Sequence, residues 1–76
     1  MKSEVKALVG NLSSSRKRAE ELRVKLLVFL SFIETIGKGD VKEEVIGDIR
    51  EQLKNVDEII NQIKLMEEEV KSGFGE

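Results

Sequence analysis

Apolar residues recur along this chain in alternating steps of three and four. The first series runs Val5, Leu8, Leu12, Ser15, Ala19, Leu22, Leu26, Phe29, Ile33 and Ile36, and only Ser15 in it is polar. The second runs Ile46, Ile49, Leu53, Val56, Ile60, Ile63, Glu67 and Val70, and only Glu67 is polar. Repeats sustained over this length keep one stripe of a helix apolar and point to coiled-coil packing. Between them lies Ile36-Gly37-Lys38-Gly39-Asp40. Gly37 is placed to take the left-handed conformation that ends a helix, Asp40 to cap the next one, and Glu43 to complete a capping box.

The pattern predicts a helix over about 3–36, a turn over 37–40 and a second helix over about 41–72. Gly73 supplies the stop, with Lys71 favourable near the negative end of the dipole, and residues 73–76 form a short flexible tail around Phe74. Residues 1–72 thus read as one all-α domain, an antiparallel two-helix hairpin with coiled-coil-like packing. Gly10-Asn11-Leu12-Ser13-Ser14-Ser15 combines a breaker with several capping residues, and a break there would give three helices. The repeat passes through it in phase, so one continuous helix is expected, bent or loose at Gly10.

The stretch from Leu26 to Ile33 is apolar on nearly every side of a helix, whereas one facing helix covers a stripe of about 100°. It is closed off by Lys25 and Glu34, well short of the roughly 20 apolar residues of a membrane span. It also lacks the flanks of a signal peptide, so no membrane role is expected. The surplus must be covered by protein. Val24, Leu27 and Val28 point away from the seam and, with Leu30, make an outward patch. On the second helix Val45, Ile59 and Met66 form a stripe beside the seam, interrupted by Gln52, with Phe32 expected near Val45 and the stem of Arg18 near Ile59. The candidate partner-binding residues are therefore Val24, Leu27, Val28, Leu30, Phe32, Val45, Ile59 and Met66. A four-helix bundle with a second copy, as a homodimer, or with another protein is the expected assembly.

Composition narrows the chemistry. At 76 residues the chain rarely builds a self-sufficient core without staples, metal, oligomerisation or very regular helix packing. Histidine, cysteine and tyrosine are all absent, which removes disulfides, thiolates, the usual zinc ligands and most acid–base and nucleophilic groups. No cofactor, metal or catalytic residue is expected, and the chain is not read as an enzyme. Ser13, Ser14 and Ser15 lack a base. Gly37-Lys38-Gly39 is too short for a phosphate loop. Glu43-Glu44 and Glu67-Glu68-Glu69 read as solvated helix faces. Abundant Lys and Glu match both a thermophile's chain and any coiled coil, and the cytoplasm is the default compartment.

The net charge of −2 hides an asymmetry. Residues 1–36 hold seven basic and four acidic side chains, and residues 41–76 hold five basic and ten acidic. Halves of opposite sign attract when folded together. Arg16, Lys17, Arg18, Arg23 and Lys25 are the candidate nucleic-acid contacts, since such groups neutralise phosphates. They flank the seam on both sides instead of forming one stripe, and Asp57 and Glu58 lie at a height where they pair with them. The expected function is a non-enzymatic protein-interaction module, a small accessory or scaffold subunit. The alternative is a small nucleic-acid-binding regulator using the cluster at 16–25. In this register Leu22→Glu puts an unpaired charge in the seam and unfolds the hairpin. Leu27→Glu spares helicity and weakens association, and circular dichroism with sedimentation separates the two.

Overall fold

The computed structural model describes residues 2–73. The chain folds into two α-helices, α1 (Lys2–Ile36) and α2 (Gly39–Gly73), packed antiparallel along their length. The expected tail at Phe74 lies outside the described residues. Each helix has 35 residues, about 52 Å at 1.5 Å per residue, and the hairpin measures 57 × 14 × 12 Å. Its radius of gyration is 17.1 Å, against roughly 11 Å for a compact domain of this length.

α1 is unbroken through Gly10 and the serines. A β-carbon at Gly10 would meet nothing within 4 Å, and the same holds at Gly47 in α2. The apolar repeat on either side holds the helix together across this weak segment, because most helix stability in proteins comes from the packed face.

The turn differs from the expectation in detail. Its linking residues are only Gly37 and Lys38, and α2 begins at Gly39 instead of near Val41. The left-handed residue is Gly39, with φ 69°, and not Gly37. Gly37 is needed for another reason. Its N–H donates to the Ile33 carbonyl at 2.7 Å, and a β-carbon there would fall 2.5 Å from that same oxygen. Asp40 consequently lies within the first turn of α2, where its charge still favours the positive helix end.

The α2 seam follows the repeat. Ile49, Val56, Ile60, Ile63 and Glu67 are buried, and Ile46, Leu53 and Val70 are half-buried. α1 is rotated from its expected position. Val5, Leu12, Ala19, Leu26 and Ile33 lie on the seam, but their partners are Val9, Arg16, Arg23 and Leu30, one residue further along than Leu8, Ser15, Leu22 and Phe29. The latter four and Ile36 are exposed. Two corrections follow. Leu30 is a half-buried seam residue and no part of an outward patch, and Leu22, 48% exposed, is no core residue.

The helix glycines and the turn glycines should respond oppositely to alanine. Gly10→Ala and Gly47→Ala each raise unfolding free energy by about 0.5–1 kcal/mol, because alanine costs less backbone entropy in a helix. Gly39→Ala lowers it by about 1–2 kcal/mol through its positive φ, and Gly37→Ala lowers it by forcing the turn away from the Ile33 carbonyl. Urea denaturation midpoints measure all four.

Candidate interaction surface

Among the described residues, three interhelical ion pairs fix the height and rotation of α1 against α2. The Arg16 Nε donates to Glu67 Oε1 at 2.7 Å, and its Nη1 lies 3.4 Å from Glu20 Oε1 one turn along α1. The Arg23 Nε donates to Asp57 Oδ1 at 2.7 Å. Arg50 and Glu34 approach to 3.7 Å nearer the turn. The hydrogen bond from Arg16 holds the Glu67 carboxyl below the ordinary carboxylate range, against the opposing effect of desolvation. Glu67, the one polar residue of the α2 repeat, is buried and satisfied, and no buried side-chain polar atom lacks a partner among the described residues.

These pairs give the hairpin two unlike faces. On one, Glu20 and Glu34 of α1 lie beside Arg50, Asp57 and Lys64 of α2, and a shallow groove around the Arg23–Asp57 pair runs between Glu20, Val24, Asn61 and Lys64. The opposite face carries the residues that precede each inner seam position. From α1 these are Leu8, Ser15, Leu22, Phe29 and Ile36, and from α2 they are Val45, Gln52, Ile59 and Met66. In an antiparallel pair these two sets flank the same side of the seam. With the heights set by the ion pairs, Ile36 lies level with Val45, Phe29 with Gln52, Leu22 with Ile59 and Ser15 with Met66. The expected neighbours of Val45 and Ile59 were Phe32 and Arg18. Both instead lie one step outward on this face, a displacement that follows from the rotation of α1.

The apolar face is therefore wider than the repeat alone suggests. Ile59 and Met66 are 49% and 44% exposed, and Val45 is half-buried. Phe29 and Phe32 are about half exposed and, with Lys25, Val24 and Val28, line a shallow groove that wraps around the outer edge of α1. Val24 and Leu27, both exposed, turn toward the ion-paired face, and Val28 points outward from α1 at 65% exposure. Leu8, Leu22, Phe29 and Ile36 were assigned to the seam by the sequence pattern. The signal that places them outside it is the pairing of Arg16 and Arg23 with acidic residues at matching heights.

Of the five basic residues clustered at 16–25, Arg16 and Arg23 are held by Glu67 and Asp57. Lys17, Arg18 and Lys25 are exposed. Among the described residues no cluster of three or more metal-ligating side chains is present, and no helix is long and apolar enough to cross a membrane. Comparison with protein-family models, curated proteins and solved structures finds no match.

The Arg16–Glu67 pair makes stability depend on acid. A carboxyl whose pKa is lowered on folding contributes fully above its unfolded value, and the contribution is lost as pH falls through the folded value. Thermal melts from neutral to acid pH should show the wild type losing stability over that interval. Glu67→Gln should be less stable at neutral pH and flatter in its acid dependence. Replacing the pair together, as Arg16→Met with Glu67→Leu, should recover the neutral-pH loss, since apolar substitutes for a paired site are often neutral or stabilising.

Proposed function

We propose that this chain is a non-enzymatic protein-interaction module, a small accessory or scaffold subunit that docks through the apolar face of its hairpin. The observation that carries the reading is the row Leu8, Leu22, Phe29 and Ile36. These large side chains recur at heptad positions on one face and are left 42–53% exposed by the helix they fold against. Scattered exposed apolars are ordinary, but Leu22, Phe29 and Ile36 follow one another at heptad spacing along a rigid helix, with Leu8 set apart beyond Ser15, and a cluster of this kind supports the reading of an interface. The lack of histidine, cysteine and tyrosine supports a role without covalent or acid–base chemistry.

The small core supports it too. Among the described residues only four apolar side chains are buried, all on α2. The chain exposes 5890 Å², whereas a compact monomer of its mass exposes roughly 4,700 Å². The excess of about 1,200 Å² is on the scale that one partner of a stable complex buries, about 800 Å². A nucleic-acid role is less well supported, because its two best-placed arginines already have carboxylate partners.

The test compares tagged wild type with Leu22→Glu as baits in extract of the native cell, with mass identification of what is retained. The expected result is a protein, another copy of the chain or a different one, held by the wild type and lost from the variant at unchanged helicity. Ile60→Glu, which buries a charge in the seam, should instead abolish helicity. Retention of nucleic acid with a steep salt dependence would favour the alternative. A bait that retains nothing, or retains the same proteins after Leu22→Glu, overturns the docking role of this face.

A further inference from the structure

The outer borders of the apolar face differ in charge, and this selects both an occupant and an orientation. Beyond the apolar row on α1 the border runs Glu4, Asn11, Arg18, Lys25 and Phe32. Beyond the row on α2 it runs Val41, Asp48, Asn55, Gln62 and Glu69, and all of these are exposed. The face is thus basic in the middle of one long border and polar with acidic residues on either side along the other, with an apolar strip between them. Such a surface is complementary to itself after a half-turn about an axis parallel to the helices. That operation lays α1 of one copy across α2 of the other and brings Arg18 and Lys25 of each level with the side-chain amides of Gln62 and Asn55 of its partner, between Asp48 and Glu69. A half-turn about an axis perpendicular to the helices would instead stack α1 on α1, setting Arg18 and Lys25 against the same basic border of the other copy.

We infer that the occupant of this face is a second copy of the chain, packed with α1 across α2 in both directions to give a closed four-helix bundle. This rests on the interaction-module reading and names its partner. The half-turn leaves heights unchanged, so Leu22 and Phe29 of one copy meet Ile59 and Gln52 of the other at their own level, and Ile36 meets Val45. Each helix then has two helical neighbours, which explains why α1 carries a mainly apolar row, Leu8, Leu22, Phe29 and Ile36, in addition to the mixed row Val9, Arg16, Arg23 and Leu30 beside the shared stripe Val5, Leu12, Ala19, Leu26 and Ile33. The mixed row serves α2 of its own chain, and the apolar row serves α2 of the second copy. The surface that the elongated hairpin exposes beyond a compact fold, about 1,200 Å² per chain, suffices for an isologous interface of standard size or larger. Gly10 and Gly47 fall away from this face.

Sedimentation equilibrium of the purified protein, with no other component, tests the occupant. The expected mass is twice the 8.6 kDa of one chain. Phe29→Glu and Ile59→Glu, which alter the face from different helices, should each raise the dimer dissociation constant at least tenfold while far-UV circular dichroism shows the helices retained. Because the chain contains no cysteine, the orientation is read by single substitutions. Lys25→Cys and Asn55→Cys chains, mixed and oxidised gently, should form a covalent dimer joining one of each, and neither variant alone should do so. A wild-type monomer, an assembly larger than two chains, or a Lys25→Cys variant that cross-links to itself as readily as in the mixture overturns the inference. A monomer whose extract bait still retains a different protein through Leu22 would overturn it and leave the interaction-module reading standing. A monomer that retains nothing would remove both.

Discussion

The rotation of α1 about its own axis is the constraint on which the rest of the hairpin depends, and the Arg16–Glu67 pair is its strongest anchor. α1 offers two ways of meeting α2, related by a turn of roughly 50°, half the angle between successive residues of a helix. Both use Val5, Leu12, Ala19, Leu26 and Ile33. One adds Leu8, Leu22, Phe29 and Ile36, and would bury more apolar surface within a single chain. The other adds Val9, Arg16, Arg23 and Leu30, and is the one adopted. Glu67 favours the second. Its carboxylate sits in the α2 seam, where an unpartnered charge is costly, and in the adopted rotation Arg16 Nε donates to it at 2.7 Å.

That choice spends the hairpin's hydrophobic material unevenly. α2 turns Ile49, Val56, Ile60 and Ile63 inward with Glu67 and leaves Val41 and Ile59 exposed. α1 meets the inward residues with half-buried side chains and keeps much of its apolar surface in the open. Leu22 and Phe29 are about half exposed and so bury only part of their apolar surface within the hairpin. The polar seam pair and the bare apolar face are two sides of one arrangement: an ion pair that costs core area within the chain directs that area outward.

The two helices and their junction were legible in the sequence, since a repeat in steps of three and four admits no strand reading and the glycines interrupt it at one place. The α2 seam was equally legible, because only one phase of its apolar residues is continuous. α1 was ambiguous for the same reason that it is interesting. Its residues satisfy the repeat in two phases, and apolar periodicity cannot choose between them. The pairing of Arg23 with Asp57 is within reach of charge and height alone. The pairing of Arg16 with Glu67 is not, because Glu67-Glu68-Glu69 reads as a solvated helix face, whereas the fold buries Glu67 as the partner of a seam arginine. Within the turn, glycine content was visible but the division of labour was not: one glycine relieves a close backbone approach and the other adopts the positive φ.

The turn also sets the phase between the two seams. Along α1 the last seam positions are Ile33 and Gly37, and along α2 the first are Lys42 and Ile46. The step from Gly37 to Lys42 is five residues, where a continuous repeat would use three. Two additional residues correspond to about 200° around a helix. A chain straightened through the junction into one long rod would therefore carry its two seams on opposite sides and could not zip along a second rod. Exchange of helices between copies, the usual hazard of a short hinge in a symmetric helical protein, is thus opposed by the spacing of the sequence itself, independently of the glycines that bend the chain.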